Sequence, residues 1–276
     1  EDVSQVRSFY PRLGAGQVAD LFASGFVSNG GGIRTGATIK AIRHDDCRIV
    51  SVVHTVDGVE TELPVDFMFS TIPLDELVRF LDPAPPQAVL EAAESLDYSS
   101  ERLLYITVNK PDVFNVPLVY FQDPGIEFNR VYDIRRFSKD CVPEGKNALN
   151  VEFTCSRGDA TWNSDDRTLF ETAITVLERE SILSRKCVDN YFSQSLTHAY
   201  PRFRIGFQGK LKTIFDYLNT FRNAVSLGRQ GLFCYANGDD VMDMSFRASD
   251  FFINTDLKGV DYYSLFDSYV RHIVEY

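Results

Sequence analysis

Residues 224–242 hold the side chains whose types and spacing are best suited to chemistry in this chain. They read Ala224-Val225-Ser226-Leu227-Gly228-Arg229-Gln230-Gly231-Leu232-Phe233-Cys234-Tyr235-Ala236-Asn237-Gly238-Asp239-Asp240, then Val241-Met242. A short apolar strand runs into Gly-Arg, and an acidic turn then leads into a helix-like stretch. Glycine lets a backbone approach a ligand closely, an arginine fork matches phosphate oxygens, and a helix start presents unpaired N–H groups to an electron-rich atom. These are the parts needed to hold a phosphorylated cofactor. An ordinary strand-turn-helix connection with a surface arginine competes with that reading.

Other reactive residues are sparse. The five cysteines (Cys47, Cys141, Cys155, Cys187, Cys234) form no C-x-x-C pair and have no histidine at metal spacing, so neither a disulfide framework nor a metal site is expected. The four histidines (His44, His54, His198, His272) fall in no catalytic triplet. No catalytic acid, base or nucleophile stands out.

With 28 basic against 39 acidic residues, the net charge of −11 argues against general affinity for nucleic acid. A local basic pocket stays open. No run reaches the roughly 20 apolar residues needed to span a bilayer, and no charged-then-apolar leader opens the chain. Together with scattered cysteines, this reads as a soluble, cytoplasmic protein. Its 276 residues and 44% hydrophobic content suffice for one large or two ordinary domains. The opening Glu1-Asp2, without methionine, is read as the start of a fragment or processed piece.

The elements that must position these residues are set by periodicity and punctuation. Residues 17–27 read as a helix closed by Asn29-Gly30-Gly31-Gly32. Residues 33–42, 47–56 and 59–63 alternate as strands, with Asp57-Gly58 a hairpin turn between two of them. Phe67-Met68-Phe69 leads through Ser70-Thr71-Ile72-Pro73 into a helix on Leu74, Leu77, Val78 and Leu81. Asp82-Pro83-Ala84-Pro85-Pro86 then breaks the chain and suggests a domain crossing. Beyond it, residues 103–108, 116–121, 130–134 and 148–154 read as an antiparallel sheet, gaining another strand near 188–195. Leu149, Val151 and Phe153 share one face. Helices are expected over 166–182, along Leu211 to Phe221, and on Leu265, Phe266, Tyr269, Val270 and Ile273.

Gly14-Ala15-Gly16-Gln17-Val18-Ala19 fits the G-x-G-x-x-A dinucleotide fingerprint, but its context does not. The fingerprint needs a buried strand ahead and an acidic residue about 20 positions on. Here Ser8-Phe9-Tyr10-Pro11-Arg12 precedes it, and Gly36-Ala37-Thr38 lies at the ribose distance.

Taken in order, five blocks resemble the flavin amine oxidase superfamily, in its protoporphyrinogen-oxidase-like and UDP-galactopyranose-mutase-like branch. They are Tyr10-Pro11-Arg12-Leu13-Gly14-Ala15-Gly16 with its helix, Ile33 to Ile42, Ser70-Thr71-Ile72-Pro73, Ala199-Tyr200-Pro201, and Gly228-Arg229-x-Gly231 through Tyr235-x-Asn237-x-Asp239. The resemblance implies an α/β (α+β) fold: an incomplete FAD-binding domain with a three-layer sheet remnant, and a substrate domain with an antiparallel sheet and flanking helices. Its implied boundaries are 1–82 and 206–276 for the FAD-binding domain and 83–205 for the substrate domain. The family's N-terminal strand, G-x-G-x-x-G and helix have no counterpart here, so the full-length protein should bind FAD and this piece poorly or not at all.

By the same resemblance, Ile39 lies at the adenine end, and Ser70, Thr71, Ile72 and Pro73 pass close to the dinucleotide. Gly228 and Arg229 approach the pyrophosphate and ribityl region. Asn237, Gly238, Asp239, Asp240, Val241 and Met242 form the turn and helix start facing the flavin O2 edge, where a helix N-terminus stabilises negative charge. Tyr200, Arg202, Phe233 and Tyr235 would line the substrate pocket. For Ile39 and Ile72 core packing competes, and for Asp239 and Asp240 helix capping does. The activity implied first is an FAD-dependent oxidoreductase taking a hydride from a small organic substrate. A mutase acting on a sugar nucleotide through reduced flavin comes second, with Phe233 lacking the hydroxyl expected there, and a non-catalytic binding module third.

Overall fold

A computed structural model describes residues 9–254; the helix expected on Leu265 to Ile273 lies outside them. In chain order the elements are α1 (Gly16–Ser28), β1 (Thr38–Asp45), β2 (Arg48–Val56), β3 (Val59–Pro64), β4 (Met68–Ser70), α2 (Leu74–Phe80) and β5 (Leu81–Asp82). Then come α3 (Gln87–Glu94), β6 (Asp97–Val108), β7 (Leu118–Tyr120), β8 (Arg130–Asp133), α4 (Ile134–Phe137), β9 (Asn147–Cys155), α5 (Ala160–Asn163) and α6 (Asp166–Arg179). The last are β10 (Val188–Arg202), α7 (Phe207–Leu218), β11 (Ala224–Ser226), α8 (Gly228–Gly231) and α9 (Gly238–Asn254). The chain is a mixed α/β protein.

Two compact units divide it. One joins the residues up to Ile33 with Ser99–Ala199, the other Arg34–Tyr98 with the residues from Tyr200 on. The later two crossings therefore fall inside β6 and β10, whereas the sequence placed them at 82/83 and 205/206. The proline run serves a local purpose instead. Pro86 stands at the N-cap position of α3, so the proline run joins β5 to α3 inside a single unit.

In the first unit, five strands pair in the order β10-β6-β9-β8-β7, with β6, β9, β8 and β7 antiparallel. One face carries Leu104, Ile106, Val131, Leu149, Val151 and Phe153, all fully buried against Leu169, Phe170, Ala173, Ile174 and Leu177. The latter five share one stripe of α6, which Asp165 caps by accepting from the Thr168 N–H at 2.7 Å. Gly14, at φ +93°, closes a turn on Pro11 O and opens α1, and no strand runs through residues 9–15 ahead of that helix.

In the second unit, four strands pair in the order β3-β2-β1-β5, antiparallel except for β1 with β5. Asp57 (φ +49°) and Gly58 (φ +78°) make the turn between β2 and β3, both in the left-handed region that a two-residue hairpin requires. Ile42 and Ile49 of this sheet join Leu74, Leu77, Val78, Leu211 and Ile214 of α2 and α7 in one core. A separate two-stranded parallel sheet pairs β11 with β4, Ala224 to Ser226 against Met68 to Ser70. Val225, Leu227, Leu232 and Cys234 pack there against Met244 and Ala248 of α9.

Candidate functional site

Parallel pairing of β4 with β11 brings both carboxyl ends to one side, the place where ligands bind in open parallel sheets. Two of the blocks picked from sequence meet there. Ser70 ends β4 and its carbonyl accepts from Leu227 N–H at 2.9 Å. An added Cβ on Gly228, which sits at φ +78°, would find Thr71 Cγ2 at 4.0 Å and nothing nearer. Gly231 is different. A Cβ there would fall 2.7 Å from Ser226 Oγ and 3.2 Å from Ser70 O, so the turn after β11 closes on the turn after β4 only because residue 231 is glycine. Ser226 Oγ donates to Gly231 O at 2.7 Å and locks this closure. Ile72 and Pro73 come next, with Pro73 at the N-cap position of α2.

The next block starts α9. Asn237 O accepts the first helical hydrogen bond from Val241 N–H at 3.1 Å, and Asp240 Oδ2 accepts from Asn237 N–H at 2.8 Å. Asp240 thereby makes the return half of a capping box, and the first-turn amides of Gly238, Asp239 and Asp240 have no carbonyl within the helix to donate to. Asn237, Gly238, Asp239 and Met242 are exposed, while Val241 is half-buried. Ile39 lies apart, on β1 of the four-stranded sheet, partly buried against that sheet's core.

The aromatic residues expected at the substrate divide into two groups. Tyr200 and Tyr235 stack on each other with centroids 5.3 Å apart and planes at 25°. The Arg229 guanidinium carbon lies 4.6 Å from the Tyr200 ring centre and 4.8 Å from that of Tyr235, which completes a nearly equilateral triangle. Arg229 Nη1 also donates to Ala236 O at 2.9 Å. In the same unit, Asp97 pairs with Arg202 at 3.6 Å and with Arg204 at 2.7 Å. Phe233, by contrast, is wholly buried in the core between Tyr98, Phe203 and Phe207. Its side chain has no exposed surface in this structure. Burial, with Asp75 adding to it, pushes the Tyr98 hydroxyl above the ordinary tyrosine range. Cys234, buried beside it in sequence, has its thiol pushed up to about 12 by burial, against the pull of Arg229.

Sequence reasoning missed a second surface, on the five-stranded sheet of the other unit. Register places Tyr105, Asn150, Tyr132 and Leu118 in one row across β6, β9, β8 and β7, on the face opposite α6. Leu103, Glu152, Arg130 and Tyr120 form the neighbouring row. Phe192 stacks behind Tyr105 at 5.1 Å, and Arg130 lies 5.3 Å over Tyr132 while pairing with the buried Glu152. Asn150 Oδ1 is closed off from solvent and accepts no hydrogen bond among the described residues. Burial, with Glu152 second, raises the Tyr105 hydroxyl pKa. The signal was present in sequence: Tyr105, Asn150, Glu152, Arg130 and Tyr132 alternate with the core residues that did mark the strands.

Among the described residues no cluster of histidine, cysteine or carboxylate side chains is arranged to hold a metal, and no helix is long and apolar enough to cross a membrane. No family model and no curated protein matches the chain. Solved structures do. A reduced UDP-galactopyranose mutase superposes with a TM-score of 0.76 at 20% identity, over 93% of this chain and 54% of its own. A triple mutant of putrescine oxidase redesigned in its cofactor binding gives 0.62 at 14%, over 88% and 53%. A protein from Exiguobacterium sp. 255-15 described as a protoporphyrinogen oxidase gives 0.60 at 15%, over 79% and 46%. The chain has the fold that these proteins share and spans about half their length.

Proposed function

We propose that this chain is the substrate-facing part of an FAD-dependent enzyme, and that its substrate is an anionic, hydroxylated small molecule of the sugar-nucleotide class. The observation that carries the reading is the cluster of Arg229 with Tyr200 and Tyr235, on the same unit as Arg202 and Arg204. Arginines and tyrosine hydroxyls suit a diphosphate and the hydroxyls of a sugar. The longer and tighter superposition on the mutase than on the two oxidases supports the same class. Phe233, whose missing hydroxyl counted against a mutase, is a core residue and so no longer weighs against it.

The residues at the ends of β4 and β11 fit a flavin nucleotide: Gly228 admits close backbone approach, Thr71 is exposed beside it, and the first-turn amides of α9 supply donors for an electron-rich edge. In this reading Ser70, Thr71, Ile72, Pro73 and Gly228 border the dinucleotide, and residues 237–242 face the ring. When bound, FAD would supply a ring that accepts hydride when oxidised and acts as a nucleophile when reduced. The protein orients substrate and keeps water out of the pocket.

Oxidoreductase chemistry on an amine is the second reading, favoured by the sheet face of the first unit. There Tyr105 and Tyr132 lie in one row of the sheet, and tyrosine rings suit an organic cation. The full-length protein, purified with its flavin, separates the readings. Anaerobic ring isomerisation of UDP-galactose that needs prior flavin reduction and consumes no oxidant supports the mutase class. Oxidant-coupled turnover of an amine supports the second reading, and a colourless protein that retains its fold overturns both.

A further inference from the structure

Arg229 was singled out by its place in a Gly-Arg pair, as a residue for cofactor phosphates. In the structure its guanidinium also has protein partners. It donates to the carbonyl of Ala236, seven residues on, and closes a triangle with the rings of Tyr200 and Tyr235. We infer that Arg229 is a positioning residue that acts through Tyr200 and Tyr235, fixing the two rings as a preformed platform for a nucleotide ligand. The ligand step rests on the functional reading above; the triangle itself does not.

Three features make the arrangement more than a surface contact. Leu232, Phe233, Cys234 and Ala236 are all buried, yet Tyr235, in the middle of that run, is 58% exposed. The backbone here belongs to neither a helix nor a strand, and Phe233 holds φ +51°, so the tyrosine is turned outward by a segment folded around it. Nothing in a regular element fixes the direction of the Tyr235 ring. The Arg229 side chain supplies that constraint from two sides, by its bond to Ala236 O just beyond Tyr235 and by its seat against the ring. Tyr200 comes from a distant part of the chain, the end of β10, and joins the same cation. One guanidinium thus fixes two rings from segments 35 residues apart, counting from Tyr200 to Tyr235. A planar, permanently charged group with five donors is better suited than a lysine ammonium to bond a carbonyl and face two aromatic rings together.

The test uses this chain with ring-labelled tyrosine, read by NMR, in wild type, Arg229→Lys and Arg229→Gln, with Tyr200→Phe and Tyr235→Phe to assign the signals. Far-UV circular dichroism and a melting curve establish that each variant is folded. R229Q is expected to shift the ring signals of both Tyr200 and Tyr235 while the other tyrosines stay in place, and R229K to shift them less. Titration with UDP, monitored on the same signals, is expected to show about tenfold weaker binding in R229Q, the loss of roughly two exposed cation–π contacts, with partial recovery in R229K. Unmoved tyrosine signals in a folded R229Q overturn the inference, as does UDP affinity equal to wild type. Should UDP leave the wild-type tyrosines untouched, the platform's nucleotide role is overturned. R229Q then still reports on the triangle, which keeps that failure distinct from a failure of the sugar-nucleotide reading elsewhere in the enzyme. If R229Q does not fold, R229K alone decides, by whether both ring signals move together.

Discussion

Glu152 is almost closed off from solvent and shares its carboxylate with Arg130, itself only slightly more exposed. In a buried pair of this kind the net attraction is small, because desolvation of both charges offsets it, whereas losing one member strands the other charge without a partner. Glu152→Ala is therefore expected to destabilise the folded chain by about 3 kcal/mol, whereas Arg130→Met with Glu152→Leu together costs far less; urea denaturation of the two variants measures the contrast. Were the single and double variants equally unstable, the pair would be ordinary packing. Cys234 supports a prediction of a different kind. Its folded pKa stands at about 12 against an ordinary value of 9.0, so folding favours the protonated thiol. The stability it contributes is complete below about pH 9 and is lost as pH rises through about 12. At pH 8 the thiol should resist iodoacetamide in the native chain and react once the chain is unfolded, which peptide mapping after a timed pulse reads directly.

At the scale of elements, Asn223 joins the two sheets of the second unit. Its Oδ1 accepts from Ile49 N–H at 2.8 Å, and its Nδ2 donates to Ile49 O at 2.8 Å and Asp66 O at 2.9 Å. Its own carbonyl accepts from Met68 N–H at 2.8 Å. A single amide thus takes the place of a strand between β2 and β4. Asn223→Ala takes the amide's partners from the buried N–H and C=O of Ile49, while Asp66 O keeps its bond from Arg48 at 3.3 Å, and should cost about 2 kcal/mol, more than any surface substitution on the same unit. Gly231→Ala is expected to cost about 2 kcal/mol because its methyl meets Ser226 Oγ and Ser70 O. Gly228→Ala, strained only in its backbone, should cost about 1 kcal/mol; thermal melts that reverse this order would refute the closure of the two turns. Much of this level was legible in the sequence. Alternation marked β6, β8 and β9, and Leu149, Val151 and Phe153 indeed share the buried face, because those strands bury one side only. The Asp57-Gly58 hairpin and the α6 stripe were equally plain. Asn223 was not, since nothing in a lone asparagine after an arginine tells that its amide lies 174 positions from Ile49 in sequence and in contact with it. The burial of Phe233 was not legible for a related reason: in an irregular segment no period says which of Phe233 and Tyr235 turns inward. The tyrosine row on the sheet face escaped notice because apolar periodicity marks only the buried side of a strand and is silent about the residues that alternate with it.

For the whole molecule, the proposed function raises the question of how much of a flavin site these residues can form alone. The structures they match are about twice as long. Among the described residues, the G-x-G-x-x-A at Gly14 comes after a turn rather than a buried strand, so the phosphate-binding arrangement of a dinucleotide fold is not built there. The α1 helix beyond it buries none of its residues, and Leu21, Phe22 and Phe26 all lie open on it. Apolar groups distributed around a helix belong in contact with other protein. The residues assigned to FAD at the ends of β4 and β11 and at the start of α9 would border only part of so long a molecule. Binding free energy for a dinucleotide is spread along its length, and the pyrophosphate and adenosine contacts are needed to offset the entropy lost on association. This chain, mixed with excess FAD and passed through a desalting column, is accordingly expected to emerge without flavin absorbance. A polypeptide extended to the length of its structural matches is expected to emerge yellow. Flavin retained by the 276 residues alone would mean that the two turns and the α9 start hold the cofactor without a nucleotide fold. Gly228→Ala, which perturbs the closest backbone approach, would then be expected to release it.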